Sequence, residues 1–299
     1  AQAGLDLVDA WSRMLAIRTF ENGLASLVGA SYDVSRYVHL CTGHEAVAVG
    51  VCAAARAEDW MTTTYRGHGV VLARGGSPRR ALEEVLARPT GYLAGRAGSM
   101  HLAAPDLRII DAAGIVGGNL PIAVGAALRA LVCGEGEVAV CFFGDGATAT
   151  GAFHESLNIA ALWRLPVLFV CENNGRSVRT DFATYSSVPT VSERASAYGM
   201  PAFRVDGADV AVVTRTAEQA LSDVRAGGGP ALLECEVTLL GEHFAIEGVA
   251  AGTCDADPLT ITQAQLLGRP GLSDRLLAER AADIERQVRA VFANVEVPT

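Results

Sequence analysis

The 299-residue chain contains no lysine, so all 24 of its basic residues are arginine. That absence excludes a P-loop lysine, a protein Schiff base, and biotinyl or lipoyl attachment to this chain. Chemistry of the carbanion or acyl-transfer kind would have to come from a bound cofactor. No apolar stretch reaches the roughly 18 residues of a membrane span before a charge interrupts it. The 50% apolar content and mean hydropathy of +0.27 therefore point to a large core and a subunit interface. There is no basic block and the net charge is −9, which argues against nucleic acid and anionic membrane as partners. The seven cysteines lack CxxC spacing and fall mostly in apolar segments, as Cys141 and Cys171 do. They read as buried thiols of a reducing cytoplasm. No signal peptide is visible in AQAGLDLVDA, and the absent initiator methionine reads as a trimmed start. Without a Pro/Ser-rich linker, repeat or low-complexity tract, the expectation is a single domain over 1–299 with an N-terminal helix and a C-terminal helical extension.

What is present is concentrated in residues 137–174, EVAVCFFGDGATATGAFHESLNIAALWRLPVLFVCENN. The run 138–143 is short, β-rich and stopped by Gly144, as a buried parallel strand should be, and 166–171 repeats the pattern. Asp145 and Asn174 are thus expected at the carboxyl ends of two parallel strands, where open α/β sheets bind ligands. Mg²⁺ takes six oxygens, one or two from the protein's carboxylates or amides and the rest from phosphates and water. Asp145, Asn174 and a backbone carbonyl just beyond it supply such a set. A helix starting near Ala147 would add N–H groups aimed at a diphosphate. The rival is a Rossmann-type dinucleotide module, because GDGATA also fits Gly-x-Gly-x-x-Ala and Glu172 could serve as the ribose acid. Against it, a carboxylate between the first two glycines would repel a metal-free pyrophosphate.

Helical spacing over 5–27 predicts a long amphipathic helix. A turn at Thr42-Gly43 leads into an alanine-rich helix to residue 55, and 60–65 is a strand that delivers Tyr65, Arg66 and His68 to a loop. Residues 91–100 form a glycine-rich loop. After the GIVGGN turn, a helix to residue 131 carries Gly125, Ala126 and Ala127, which would let another backbone approach closely. Strands at 202–205 and 232–239 and an amphipathic helix at 278–292 complete the pass. His101 and His154 read as packing residues, and Asn173 as a turn former.

These pieces, HLCTGHEAVAVG from His39, TYRGHG from Thr64, GRAGSMHL from Gly95, GIVGGNLPIAVGAAL from Gly114, and GDG with ENN 26 residues beyond Gly146, resemble the alpha subunit of the first component of thiamine-diphosphate-dependent 2-oxoacid dehydrogenases, the pyruvate and acetoin dehydrogenase group. The likeness runs from about Met14 to the region of His243. It implies a doubly wound, mostly parallel α/β sheet that binds thiamine diphosphate and Mg²⁺. By position, Asp145, Asn174 and the carbonyl of Arg176 match the metal ligands. Tyr65 and Arg66 match diphosphate contacts, as do Gly146 and Ala147, while Gly114 and Val116 match backbone contacts to the aminopyrimidine. His39, His68 and His243 match histidines near the thiazolium and substrate. The resemblance further implies an α2β2 heterotetramer with a beta subunit that supplies the activating glutamate, a 2-oxoacid substrate, and a lipoyl-bearing acyltransferase as acceptor. A non-oxidative carboligase is the near alternative.

The chain departs from the family pattern at three places. Gly-Gln-Glu becomes Gly43-His44-Glu45, an apolar or aromatic residue becomes Arg176, and Arg-x-x-Gly-His-Ser becomes Leu239-Leu240-Gly241-Glu242-His243-Phe244. The last removes the arginine and the regulatory serine, and so bears on the role of His243, on phosphorylation control and on docking of a lipoyl partner.

Overall fold

The structure, a computed structural model, describes residues 5–30, 38–134, 136–241, 243 and 256–293. In chain order the elements are α1 (Leu7–Ala30), α2 (Glu45–Ala54), β1 (Trp60–Thr64), α3 (His68–Ala73), α4 (Pro78–Val85), β2 (Ile109–Ala113), α5 (Asn119–Cys133), β3 (Ala139–Gly144), α6 (Gly151–Leu162), β4 (Val167–Asn173), β5 (Arg176–Ser177), β6 (Thr180–Asp181), α7 (Phe182–Tyr185), α8 (Val191–Ala195), β7 (Ala202–Asp206), α9 (Val210–Asp223), β8 (Ala231–Glu236), α10 (Pro258–Leu267) and α11 (Asp274–Phe292). Six strands form one sheet in the order β2-β1-β3-β4-β8-β7, every pair parallel; β5 and β6 make a separate short antiparallel hairpin.

The expected doubly wound α/β architecture follows from the central strands. In β3 and β4 successive side chains alternate between faces, and both faces are apolar. Val140, Phe142, Leu168 and Val170 enter one core with α1, α2, α9 and α11. Cys141, Phe143, Phe169 and Cys171 enter a second with α5, α6 and α8. Strand order reverses between β1 and β3, which makes the gap beyond their carboxyl ends the topological switch point.

Helix α1 buries Leu7, Trp11, Met14, Ile17, Leu24 and Val28, a stripe of three- and four-residue steps, with Phe20 on it at 5.5 Å from the ring of Phe292 in α11. Two buried carboxylates are held in different ways. Asp59 meets Arg225 in a two-pronged contact of 2.9 and 2.7 Å and also accepts the Val138 N–H at 2.9 Å. The Glu84 carboxylate accepts N–H bonds from Leu93, Gly95 and Ala97 at 2.7, 2.9 and 2.8 Å, so the glycine-rich loop is wound around one buried anion.

Several local expectations are corrected. His68 opens α3 instead of lying in a loop. Residues Asp145–Ala149 form a tight 3₁₀ turn, and α6 begins only at Gly151, where the Thr150 hydroxyl accepts the Phe153 N–H. The strand expected to reach residue 239 stops at Glu236. Gly125 faces open space, so no backbone among the described residues approaches it. Of the described residues, no helix is long and apolar enough to cross a membrane.

Candidate active site

The carboxyl ends of β1, β2, β3 and β4 open into one cleft. Tyr65 and Arg66 reach it from β1, Ile115 and Val116 from the turn after β2, Asp145, Gly146 and Ala147 from β3, and Asn174 and Arg176 from β4; His243 closes one side. Gly114 does not line it, although its neighbours Ala113 and Ile115 do.

Asp145 is 1% exposed and its Oδ2 accepts the Tyr185 hydroxyl at 2.5 Å. Burial pushes its carboxyl up to about 6 from an ordinary 3.8, against the lowering effect of that hydroxyl. A cation seated beside it would reverse that push. The Oδ1 of Asn174 accepts the Arg176 N–H at 3.1 Å. Asn173 instead holds the turn: its Oδ1 accepts the Gly175 N–H at 2.9 Å and its Nδ2 donates to Glu234 at 2.7 Å. The Arg176 guanidinium is engaged outside, 3.2 Å from Asp181 across the hairpin. That hairpin packs on the Asp145 turn so closely that a Cβ on Gly146 would stand 2.7 Å from Ser177 Oγ, and any larger residue there would have to displace that side chain.

The expected donors, the Asp145 carboxylate, the Asn174 amide and the Arg176 carbonyl, are all hard oxygens, the type that suits Mg²⁺ completed by phosphate and water. Among the described residues no group of three or more His, Cys, Asp or Glu could hold a metal. With a buried carboxyl short of a cation and a glycine turn left bare, the cleft fits a metal-bound diphosphate.

The histidines divide. His39 is buried behind the cleft lining, its ring tilted against Tyr65 at 4.3 Å and edge-on to His243 at 5.0 Å, so it clusters with two rings that do line the cleft. His68 is fully buried away from the cleft lining: Nδ1 pairs with Glu21 at 2.9 Å and Nε2 with Ser99 at 2.8 Å. The same Glu21 accepts the Cys41 N–H at 2.8 Å, which ties α1, the loop before α2 and the glycine-rich loop together. His101 bonds the Ala112 carbonyl and His154 the Tyr198 hydroxyl.

His44, Glu172, Thr64, Asn119 and Ser177 also line the cleft, although none was expected there within the cofactor reading. The Gly-His-Glu departure was a visible signal for His44, and the ENN motif for Glu172. Tyr185 carries no such signal.

Comparison with known proteins now meets this geometry. Residues 12–247 match the family described as Dehydrogenase E1 component. The chain is 41% identical over 282 residues to the alpha subunit of acetoin:2,6-dichlorophenolindophenol oxidoreductase of Bacillus subtilis (strain 168), covering 93% of this chain and 84% of that one. It is 37% identical over 290 residues to the Cupriavidus necator protein of the same name, covering 96% and 87%. It is 39% identical over 230 residues to the pyruvate dehydrogenase E1 component subunit alpha of Zymomonas mobilis, covering 77% and 65%. The family match runs through GDGATA and replaces the dinucleotide-module reading of it. Parallel sheet, switch-point cleft and matched residues agree, and the chain belongs to the dehydrogenase E1 component family, as an alpha subunit.

Proposed function

We propose that this chain is the alpha half of an enzyme that holds thiamine diphosphate and Mg²⁺, decarboxylates a 2-oxoacid and passes on the acyl unit. The observation that carries the reading is the buried Asp145, set beside Asn174 at adjacent strand ends over a glycine turn. Asp145, Asn174 and the Arg176 carbonyl would hold the metal. Arg66, permanently charged, and the backbone of Gly146 and Ala147 would face the diphosphate, with Tyr65 beside them. Gly114 and Val116 would offer backbone groups to the aminopyrimidine. When bound, thiamine diphosphate supplies the carbanion nucleophile and the electron sink that decarboxylation needs. His243, in the cleft lining, and His39, packed behind it on Tyr65, would move protons at the substrate end. His68 would act through the glycine-rich loop that it ties to Glu21.

A beta subunit completes the site in this reading, in an α2β2 assembly. Its support on this chain is apolar surface: Ile122, Leu128 and Val132 are exposed along α5 beside the open Gly125, and Ile115 and Val116 are exposed at the cleft mouth. Transfer to a lipoyl-bearing acyltransferase, a cytoplasmic location and a single cofactor-binding domain belong to the same proposal. Acetoin is a second candidate substrate, because the two relatives named for it are matched over most of their length.

The test is co-expression with the beta chain, mass spectrometry of the released cofactor, and steady-state reduction of dichlorophenolindophenol with 2-oxoacids and with acetoin. A thiamine diphosphate signal and dye reduction are expected. A protein that binds no thiamine diphosphate would overturn the reading, and acyloin formation without dye reduction would favour the carboligase.

A further inference from the structure

His44 sits at the N-cap of α2 and lines the cleft at 2% exposure. Its side chain does not cap the helix. Its Nδ1 is 3.4 Å from Glu172 Oε1, and neither ring nitrogen has a hydrogen-bond partner. A buried donor or acceptor left without a partner destabilises the fold that holds it, so an orphan of this kind in a built site calls for a partner.

The loop around it is held by other groups, although the buried Thr42 hydroxyl also has no hydrogen-bond partner. Glu45 takes the Gly43 N–H at 2.7 Å and pairs with Arg18, which also reaches Asp257 at 3.1 Å. The Thr42 carbonyl accepts the Leu240 N–H at 3.0 Å. The loop is therefore held on both sides while the ring it presents is not. A neutral imidazole, like a carboxamide, offers both a donor and an acceptor.

Charge and hydrogen-bond type identify the missing partner. Glu172 Oε1, 3.4 Å from Nδ1 and outside hydrogen-bond geometry, presents lone pairs to it, so a neutral ring facing that oxygen carries its proton on Nδ1 and leaves a lone pair on Nε2. Phosphate oxygens and the Asp145 carboxylate are acceptors and cannot use that lone pair. A water on Mg²⁺ is a donor, and Mg²⁺ keeps such waters. We propose that His44, oriented by Glu172, accepts a hydrogen bond from a metal-held water and so positions the metal–diphosphate end of the site. The proposal rests on the cofactor reading above.

The test uses the α/β assembly. Mg²⁺ is titrated calorimetrically at saturating thiamine diphosphate into wild type, His44→Leu, His44→Met and His44→Gln, and the unliganded proteins are melted thermally. The apolar variants remove two orphaned nitrogens, so they are expected to melt at or above the wild-type temperature. Their Mg²⁺ Kd should rise about ten- to a hundredfold, the equivalent of roughly 1.4–2.7 kcal/mol. His44→Gln, which keeps a donor and an acceptor, is expected to bind within about threefold of wild type. Wild-type Mg²⁺ affinity in either apolar variant overturns the inference and leaves the cofactor reading standing. Absence of Mg²⁺ and thiamine diphosphate binding in wild type itself overturns both.

Discussion

The hydroxyl of Tyr185 donates to Oδ2 of Asp145 across 2.5 Å, joining α7 to the turn after β3. Burial raises the proton affinity of both groups, and each bears on the other: the phenol lowers the Asp145 carboxyl, and the carboxyl raises the phenol further. The phenol therefore remains a donor and the carboxylate its acceptor.

Asp145→Asn should stabilise the unliganded protein at neutral pH while ending Mg²⁺-dependent binding of thiamine diphosphate. Its folded value of about 6 exceeds the ordinary 3.8. As pH rises between those values the unfolded chain gives up its proton first, so stability is lost through that window and stays lost above it. Removing the charge should restore on the order of 2–3 kcal/mol at pH 7.5 and close to nothing near pH 4. Melts at the two pH values with calorimetry check it, and an equal gain at both would contradict the assignment.

His243→Ala should lower turnover by about 10²-fold in the assembled enzyme, the scale of a lost proton-carrying or oxyanion-stabilising group. The motive is the His39–Tyr65–His243 ring cluster at the cleft wall. Steady-state dye reduction measures it. Unchanged turnover would hand the role to His39 or to the beta subunit.

Glu84→Gln should destabilise the chain by about 2 kcal/mol, because an amide cannot receive all three backbone N–H groups that the carboxylate holds. Urea unfolding gives the magnitude. Amide exchange at residues 93–97 should accelerate, and protection equal to wild type would show that the loop stands without the anion.

Arg225→Met should cost about 3–5 kcal/mol, since it strands the fully buried Asp59 carboxylate. Adding Asp59→Asn should recover part of the loss. A double variant no more stable than the single one would rule out the uncompensated charge as the cause.

The sheet edge was legible because β3 and β4 are nearly unbroken apolar runs with polar stops, and Gly144 and Asn174 mark where those strands end. Helix α1 was legible because its stripe is long. Helix α9 was not: it opens VAVVT, β-branched residues that locally favour a strand, and its helical form depends on burying Val210, Val213 and Ala217 against the core. The metal-type oxygens could be read from spacing, but Tyr185 lies 40 residues from Asp145, and nothing local marks it. The departure at His44 was visible, whereas its unpartnered ring and its approach to Glu172 exist only once α2 is laid beside β4.

The packing of α1 on α11 sets a clock on synthesis. Ser12 receives a bond from Arg280, 268 residues away, and Phe20 waits for Phe292. At ribosomal rates of about 5–20 residues per second that interval is roughly 15–50 s. Throughout it, part of the apolar stripe of α1 has no α11 to cover it, so production at lower temperature with chaperone in excess should improve the recovered yield before any change to the sequence does.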